Sequence, residues 1–499
     1  MVGSKVWKKY GNLTCNEKLI ADLKILETQG IVVEKPTMKV VKAGIAAFVG
    51  DNLGAHQLAE ISTSFSSGPI CRYCKATYKD VCENHLLYAG CEEDYVPGRM
   101  STEEYDRLAD LADASDGATA VTRGVKGHCC FNSLQSFHCM ESMAPCLGHD
   151  FYEGVYAYDI QAILNHIINK EKLISIEQFN KKLKKCQMSA RDKKNRPNGF
   201  KTRASGSKYE GTSSSLRILS RIVTVVLSEV LERSKTMEIL IKLHDVSELI
   251  TAHRLTEYEV LNLLHPTILE YLDLRVSSIE SLGFNRARPK HHYLSHYAES
   301  FLKFGPLIGV WGMRMESKHT FMKRVIRTAK NFKNPPKTCA SRHQLAQISY
   351  AYHGLFPTNK LEMPDDTINV FQVKANSNDD FQRRFLSTLD PSAQYPAKVT
   401  VLGTSYQPGM ILVLKKEVLG ELKVGLLKAI AVHDTKIIFG CSSFLCTQSK
   451  FGYYVTTKSL SNFELTSYSE LWDYHPLHRI GSLQSFIFQL HHFVSQKQN

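Results

Sequence analysis

The 499-residue sequence lacks any apolar run long enough to cross a membrane; its longest, such as 222–227, fall far short of the ~20 residues a span needs. Its start, MVGSKVWKKYGN, lacks the apolar stretch of a secretory signal, so a secreted protein is not expected. Acidic residues run short. The 49 Asp plus Glu face 62 Lys plus Arg and leave a net charge of +13, a balance that suits nucleic acid as a partner. Disorder is excluded by 43 % hydrophobic, 22 % charged and 10 % aromatic residues. At roughly 150 residues per domain the length suggests about three domains, and no internal repeat is present.

Thirteen cysteines are there, eight of them between Cys71 and Cys146. An odd number without a signal segment points to a reducing compartment, where clustered cysteines bind metal or sit as core thiols. The 71–150 segment, rich in Cys, His and Gly, shows no strong periodicity beyond a helix-like piece at 101–114. Ordering by metal ligands instead of a large core is therefore expected there.

Residues 20–26 have helical spacing, and 37–49 are β-rich and end in the turn Gly50-Asp51-Asn52. Amphipathic helices are expected over 151–168, 216–231, 237–250 and 255–274. Between the first two lies a basic, Pro/Gly/Ser-containing stretch, 181–208, with Lys184, Lys185, Lys193, Lys194 and Arg196. It reads either as a solvated exposed loop or as a phosphate-contacting or nuclear-targeting stretch. A linker is expected near 376–396. Beyond it the period changes to short strands at 398–402, 410–414, 424–432, 436–439 and 453–457, which points to a small antiparallel barrel or sandwich.

Four features stand at informative distances. Asp51 follows the apolar strand-like 45–49 and is either a turn residue or a carboxylate at a sheet edge. Cys71-Arg-Tyr-Cys74 spaces two thiolates for one tetrahedral Zn²⁺. In His291-His292-Tyr-Leu-Ser-His296, His292 and His296 share a helix face, whereas His291 and His296 sit one residue further apart, workable near a helix start. Glu316, twenty residues on, shares a stripe with Lys323, Arg327 and Lys330 if a helix continues, with Met315, Met322, Ile326 and Ala329 as its buried side. The stripe reads as a solvated basic face or as a carboxylate backed by phosphate-binding cations. His149-Asp150-x-x-Glu153 reads as a capping box, Asp150 at N-cap and Glu153 at N3, in preference to a third metal carboxylate.

The ordered set Gly-Asp51-Asn-Leu-Gly, C-x-x-C, a long helical insertion, the histidines and Glu316 resembles the cut-and-paste DDE transposases of CACTA (En/Spm) type. More distantly it is similar to the Transib-like enzymes and the V(D)J recombinase catalytic core. The phrases Phe131-Asn-Ser-Leu, His149-Asp-Phe-Tyr-Glu153-Gly, Pro289-Lys-His-His-Tyr and Trp311-Gly-Met-Arg-Met-Glu316-Ser-Lys extend the resemblance over about residues 10–350.

The resemblance implies an α+β multidomain chain. Its parts are a partial RNase H-like α/β core over 1–70, a zinc segment over 71–150 and a helical insertion over 151–290. A histidine half-site and catalytic-Glu helix over 291–350, a linker over 351–395 and a C-terminal β-barrel-like domain over 396–499 complete it. Asp51 and Glu316 match the second and third catalytic carboxylates; Cys71, Cys74, His291 or His292, and His296 match a structural zinc site. Double-stranded DNA as partner, a homodimer, a nuclear location and Mg²⁺ or Mn²⁺ in a complete triad are further implications. The first catalytic Asp and its strands have no match in residues 1–16. A transposase-derived DNA-binding protein, catalytically incomplete, is accordingly expected. The alternatives are a truncated fragment of an active enzyme and a zinc-stabilised interaction scaffold. An independent zinc hydrolase is disfavoured, because a Cys₂His₂ set leaves no open position.

Overall fold

A computed structural model describes residues 4–33, 38–114, 123–353, 361–373, 379–417, 420–482 and 486–495. The architecture is mixed α+β, with helices up to about residue 352 and a large antiparallel sheet after it. No helix among the described residues is long and apolar enough to cross a membrane.

At the N-terminus the Ser4–Thr28 helix is broken at Gly11, whose φ of 74° interrupts the helical path. It leads into an exposed two-stranded ribbon, Ile31–Val33 with Lys39–Val41. The described residues of this region hold no RNase H-like sheet. Residues 45–49, expected as a strand, form one isolated parallel bridge, Phe48 to Met143, because among the described residues no strand lies alongside to complete a ladder.

Residues 71–150 depart from expectation in a second way: they have a core. Tyr105, Leu108 and Ala109 of the Thr102–Ala114 helix pack with Ile20, Ala55, Ala59, Val125 and Phe131. The Tyr105 hydroxyl donates to Ala59 O at 2.7 Å and accepts from Cys129 N at 3.0 Å, so a buried phenol ties three segments together. Cys82, Cys129, Cys130, Cys139 and Cys146 are buried free thiols of this region.

The central body is helical. One continuous helix runs from Gly148 to Lys170, with wide π-turns at Gly148–Tyr156 and His166–Lys170 flanking Ala157–Asn165. Its Phe151, Tyr152, Val155, Ile160, Ile163 and Ile167 are buried against Ser213–Leu231, Met237–Ile250 and His265–Leu282. The capping box expected at 150–153 is absent, because the helix has already begun at Gly148. Glu153 Oε1 instead accepts from Ser213 N (2.9 Å) and Oγ (2.7 Å) and so caps a different helix. The basic stretch is only partly a loop: Ile176–Lys185 and Ala190–Lys193 are helical, and Phe200 is buried.

In the C-terminal region Met410–Lys416 pairs with Leu422–His433, which pairs with Lys436–Gln448, which pairs with Tyr454–Ser467. Tyr454–Ser467 continues to Phe486–Phe488, then Asp473–Gly481, which returns to Met410–Lys416. The ladder thus closes on itself, and Ile411, Val424, Phe444, Phe486 and Phe488 fill the inside. The expected linker is not one throughout. Although 376–378 lie outside the described residues, Asp380–Ser387 is a helix whose Phe385 is fully buried against Ala429 and Ala431. A Cβ on Gly440 would stand 2.6 Å from the Phe385 ring, so that contact requires glycine.

Candidate metal centre and acidic site

Cys71 and Cys74 sit in an irregular turn, and His292 and His296 sit where the short Pro289–Tyr293 helix passes through a 3₁₀ turn into Tyr297–Phe304. Pro289 at the helix start fixes the entry, since its missing N–H is not needed there. Cys74 Sγ lies 3.2 Å from His292 Nε2, Cys71 Sγ 3.5 Å from His296 Nε2, and the two Nε2 atoms are 3.3 Å apart. All four donors fall within 4.8 Å of one another.

Outer contacts prepare this set. His292 Nδ1–H donates to Leu87 O at 2.9 Å, which leaves Nε2 with its lone pair toward the cluster. Tyr73 N donates to Cys71 Sγ at 3.3 Å. Burial opposes ionisation of Cys71, yet the Cys74 hydrogen bond and nearby His296 and His292 hold its pKa well below the ordinary thiol value. Two sulfurs and two imidazole nitrogens, buried and convergent, fit a closed tetrahedral Zn²⁺ site.

His291 is outside this quartet. Its Nδ1 accepts from Arg288 N at 3.0 Å and its Nε2 faces Asp159 at 3.2 Å. Asp159 is fully buried and also takes Arg275 Nε at 2.8 Å. The one-residue step from 291 to 292 turns the side chain to another neighbour, so only the i, i+4 pair reaches the cysteines.

Arg72, between the two cysteines, links the Cys₂His₂ quartet to the acidic residues. Its guanidinium donates to Asn52 Oδ1, pairs with Asp150 Oδ2 at 3.4 Å and lies over the Tyr73 ring at 4.5 Å. Asn52 Nδ2 donates to Asp150 Oδ1 at 2.6 Å. Asp51, next to Asn52, is exposed and caps the Asn52–Leu58 helix through Oδ1 to Gly54 N at 2.6 Å. On the other side of Asp150, His149 Nε2 meets Glu316 Oε1 at 3.2 Å. A hydrogen bond to Cys146 outweighs burial and, with Glu316 and Glu153, pushes His149 up to about 9. Asp51 and Glu316 are therefore joined through Asn52, Asp150 and His149. Sequence reasoning missed Arg72, Asn52 and His149; Arg72 was visible only as the filler of a C-x-x-C turn.

Glu316 lies in the first turn of Met313–Ala329, which packs against Pro335–Tyr352 as a helical hairpin. The expected buried stripe is absent. Met315 is 61 % exposed, and Met322, Ile326 and Ala329 are only half-buried, because the Pro335–Tyr352 helix covers one side. Lys323, Arg327 and Lys330 are exposed and have no acidic partner among the described residues. Residues 313–353 hold nine Lys and Arg against one acid, Glu316. Lys184, Lys185, Lys193 and Lys194 are exposed too, but Arg196 is engaged: it donates to Leu183 O, Lys184 O and Cys186 O and caps the Ile176–Lys185 helix. With Lys184, Lys185 and Lys193 it lines a cleft of about 540 Å³ against His478 and Arg479.

Compared with known families and characterised proteins, the chain matches no family model and no curated protein.

Proposed function

We propose that this protein binds double-stranded DNA and is related to the CACTA-type DDE transposases, with a zinc-type centre that holds its acidic and basic segments together. The observation that carries this reading is the basic surface of 313–353, whose Lys323, Arg327 and Lys330 have no acidic partner among the described residues, and whose Glu316 is linked through His149, Asp150 and Arg72 to a Cys₂His₂ cluster assembled from segments more than 200 residues apart. Exposed cations without acidic partners bind phosphate chiefly by releasing its counterions, so affinity falls steeply with salt. Cys71, Cys74, His292 and His296 would hold the zinc, which supplies a fixed tetrahedral link between distant segments. A nuclear location and a homodimer accompany this reading on resemblance and basic charge alone.

Strand cleavage is not part of the proposal. Two-metal phosphoryl transfer needs several carboxylates around one phosphate. Near Glu316, Asp150 is buried under Arg72 and Glu153 is spent on Ser213, leaving the exposed Asp51 and the half-buried Glu316, itself paired with His149. Nicking of plasmid DNA by this polypeptide with Mg²⁺ or Mn²⁺ would overturn that part.

The test of binding is fluorescence anisotropy of the full chain with a random-sequence duplex across a KCl series. The triple variant Lys323→Ala, Arg327→Ala, Lys330→Ala is expected to weaken binding by at least about tenfold and to lower the salt slope by up to about 3. No DNA retention at physiological salt would sink the reading. It would favour protein docking instead, for which the exposed Phe332, Leu345, Ile348 and Tyr352 of the same hairpin are suited.

A further inference from the structure

A second group of metal-ligating side chains lies far from the cysteines in sequence, where the β-barrel meets the helical body. His253 follows the Met237–Ile250 helix, His475 is in the Asp473–Gly481 strand, and His492 lies in the segment after Phe486–Phe488. One ring nitrogen from each falls within 4.8 Å of the other two. The ring centroids are 4.2, 4.6 and 4.8 Å apart.

Asp473 organises the group. Its Oδ1 takes His475 Nδ1 at 2.8 Å and its Oδ2 takes His492 Nε2 at 3.1 Å. One carboxylate thereby orients two imidazoles and leaves His475 Nε2 and His492 Nδ1 as the remaining nitrogens. His492 is 3 % exposed, and its Nδ1 is buried with no hydrogen-bond partner among the described residues. A buried imidazole nitrogen left unsatisfied is costly unless something fills its lone pair. The strand is also irregular here: its register against Met410–Lys416 shifts between Asp473 and Leu477, across Pro476. Such shifts re-aim side chains.

We propose that His253, His475 and His492 form a second metal site for a zinc-class divalent ion, with Asp473 as the outer carboxylate that orients two of its ligands. A tetrahedral ion with Zn–N of about 2.05 Å brings its nitrogens to about 3.3 Å from one another, so the nitrogens, now within 4.8 Å, would draw together by up to about 1.5 Å. Three imidazoles with no thiolate leave a fourth position for water or a small anion. The ion would bolt the barrel to the helices beside the backbone bond from Phe493 N to Glu248 O, 3.0 Å.

Full-length protein, stripped of metal, is titrated with Co²⁺ and its spectrum recorded, and zinc content is measured after reconstitution. Wild type is expected to bind about two ions per chain, one with a thiolate charge-transfer band and one with d–d bands alone. His253→Ala, at an exposed position chosen to leave folding intact, combined with His475→Ala, should reduce this to about one, with the thiolate band kept. The Cys71→Ser, Cys74→Ser variant should keep the thiolate-free ion. Should either multiple variant fail to fold, His253→Ala alone still decides by its weakened thiolate-free ion at unchanged circular dichroism. A wild-type stoichiometry of about one, or a second ion indifferent to His253→Ala, would reduce the cluster to a hydrogen-bonded histidine network and overturn the proposal.

Discussion

Asp159 shows how one buried charge is kept. Burial alone would raise its pKa, but Arg275 and then His291 outweigh this and hold the carboxylate below its ordinary range. Asp159→Ala would leave Arg275, 3 % exposed, without this carboxylate, and a loss of about 3–5 kcal/mol is expected in urea unfolding. His244 is the opposite case. Burial would lower it, yet Glu248 at 3.4 Å holds it up at about 9. A raised histidine adds stability fully present below its unfolded value near 6.5, and this is lost as pH rises through about 9. Thermal melts of wild type should therefore fall between pH 7 and 9 more than those of His244→Gln. Equal falls in both would show that the pair does not matter. At this scale the sequence showed which residue types could ligate, and 292 against 291 stayed open because spacing alone does not tell which ring faces Cys74 and which faces Asp159.

Elements were legible where a period was sustained. The helices over 237–250 and 102–114 and the strands near 399–401, 410–416 and 422–433 follow the pattern of their apolar residues. Two elements escaped for stated reasons. The Asp380–Ser387 helix is short and polar but for Phe381, Phe385 and Leu386, so its attachment rests on two rings, Phe385 buried and Phe381 partly so. The Met313–Ala329 helix has the sequence of an amphipathic core helix, yet it packs mainly against the neighbouring Pro335–Tyr352 helix, and no residue from Met315 to Ala329 is fully buried. At the junction of elements Gly452, with φ +85°, packs its Cα against the buried His244 ring, where a Cβ would come within 2.5 Å. Gly452→Ala is expected to destabilise the joint by about 1–3 kcal/mol through strain and overpacking, measured as a shift in denaturant midpoint. An unchanged midpoint would mean that the 449–453 turn moves away freely.

Across the whole molecule, the Cys₂His₂ quartet has the position of a staple rather than of a core. Cys71 and Cys74 are joined to His292 and His296 across 225 residues of separation for the widest pair. Chelation by a strong zinc chelator is expected to lower the melting temperature and raise protease cutting near residues 71–100, with restoration by Zn²⁺. A melt indifferent to chelator would reduce the quartet to buried thiols and histidines. The separation also explains what sequence reasoning could reach: the two half-sites were each readable from local spacing, whereas their meeting was implied only by resemblance. The Arg72 bridge from the cysteines to Asp150 could not be read at all, because a long-range ion pair leaves no local period.

The wide turns of the Gly148–Tyr156 segment fix a phase as well as a shape. His149 looks to Glu316, Asp150 to Arg72 and Glu153 to Ser213, three bearings set within five residues of one helix. In an α-helix each residue advances the bearing by about 100°, and a π-turn accommodates one residue more than that winding allows. Deleting a single residue from this segment would therefore dial the N-terminal bearings about a quarter-turn away from Glu316 and Arg72, while leaving Ala157–Asn165 seated in the core. The acidic chain is thus indexed to the helical body by a count of residues, and an insertion or deletion there would be felt more sharply than most substitutions.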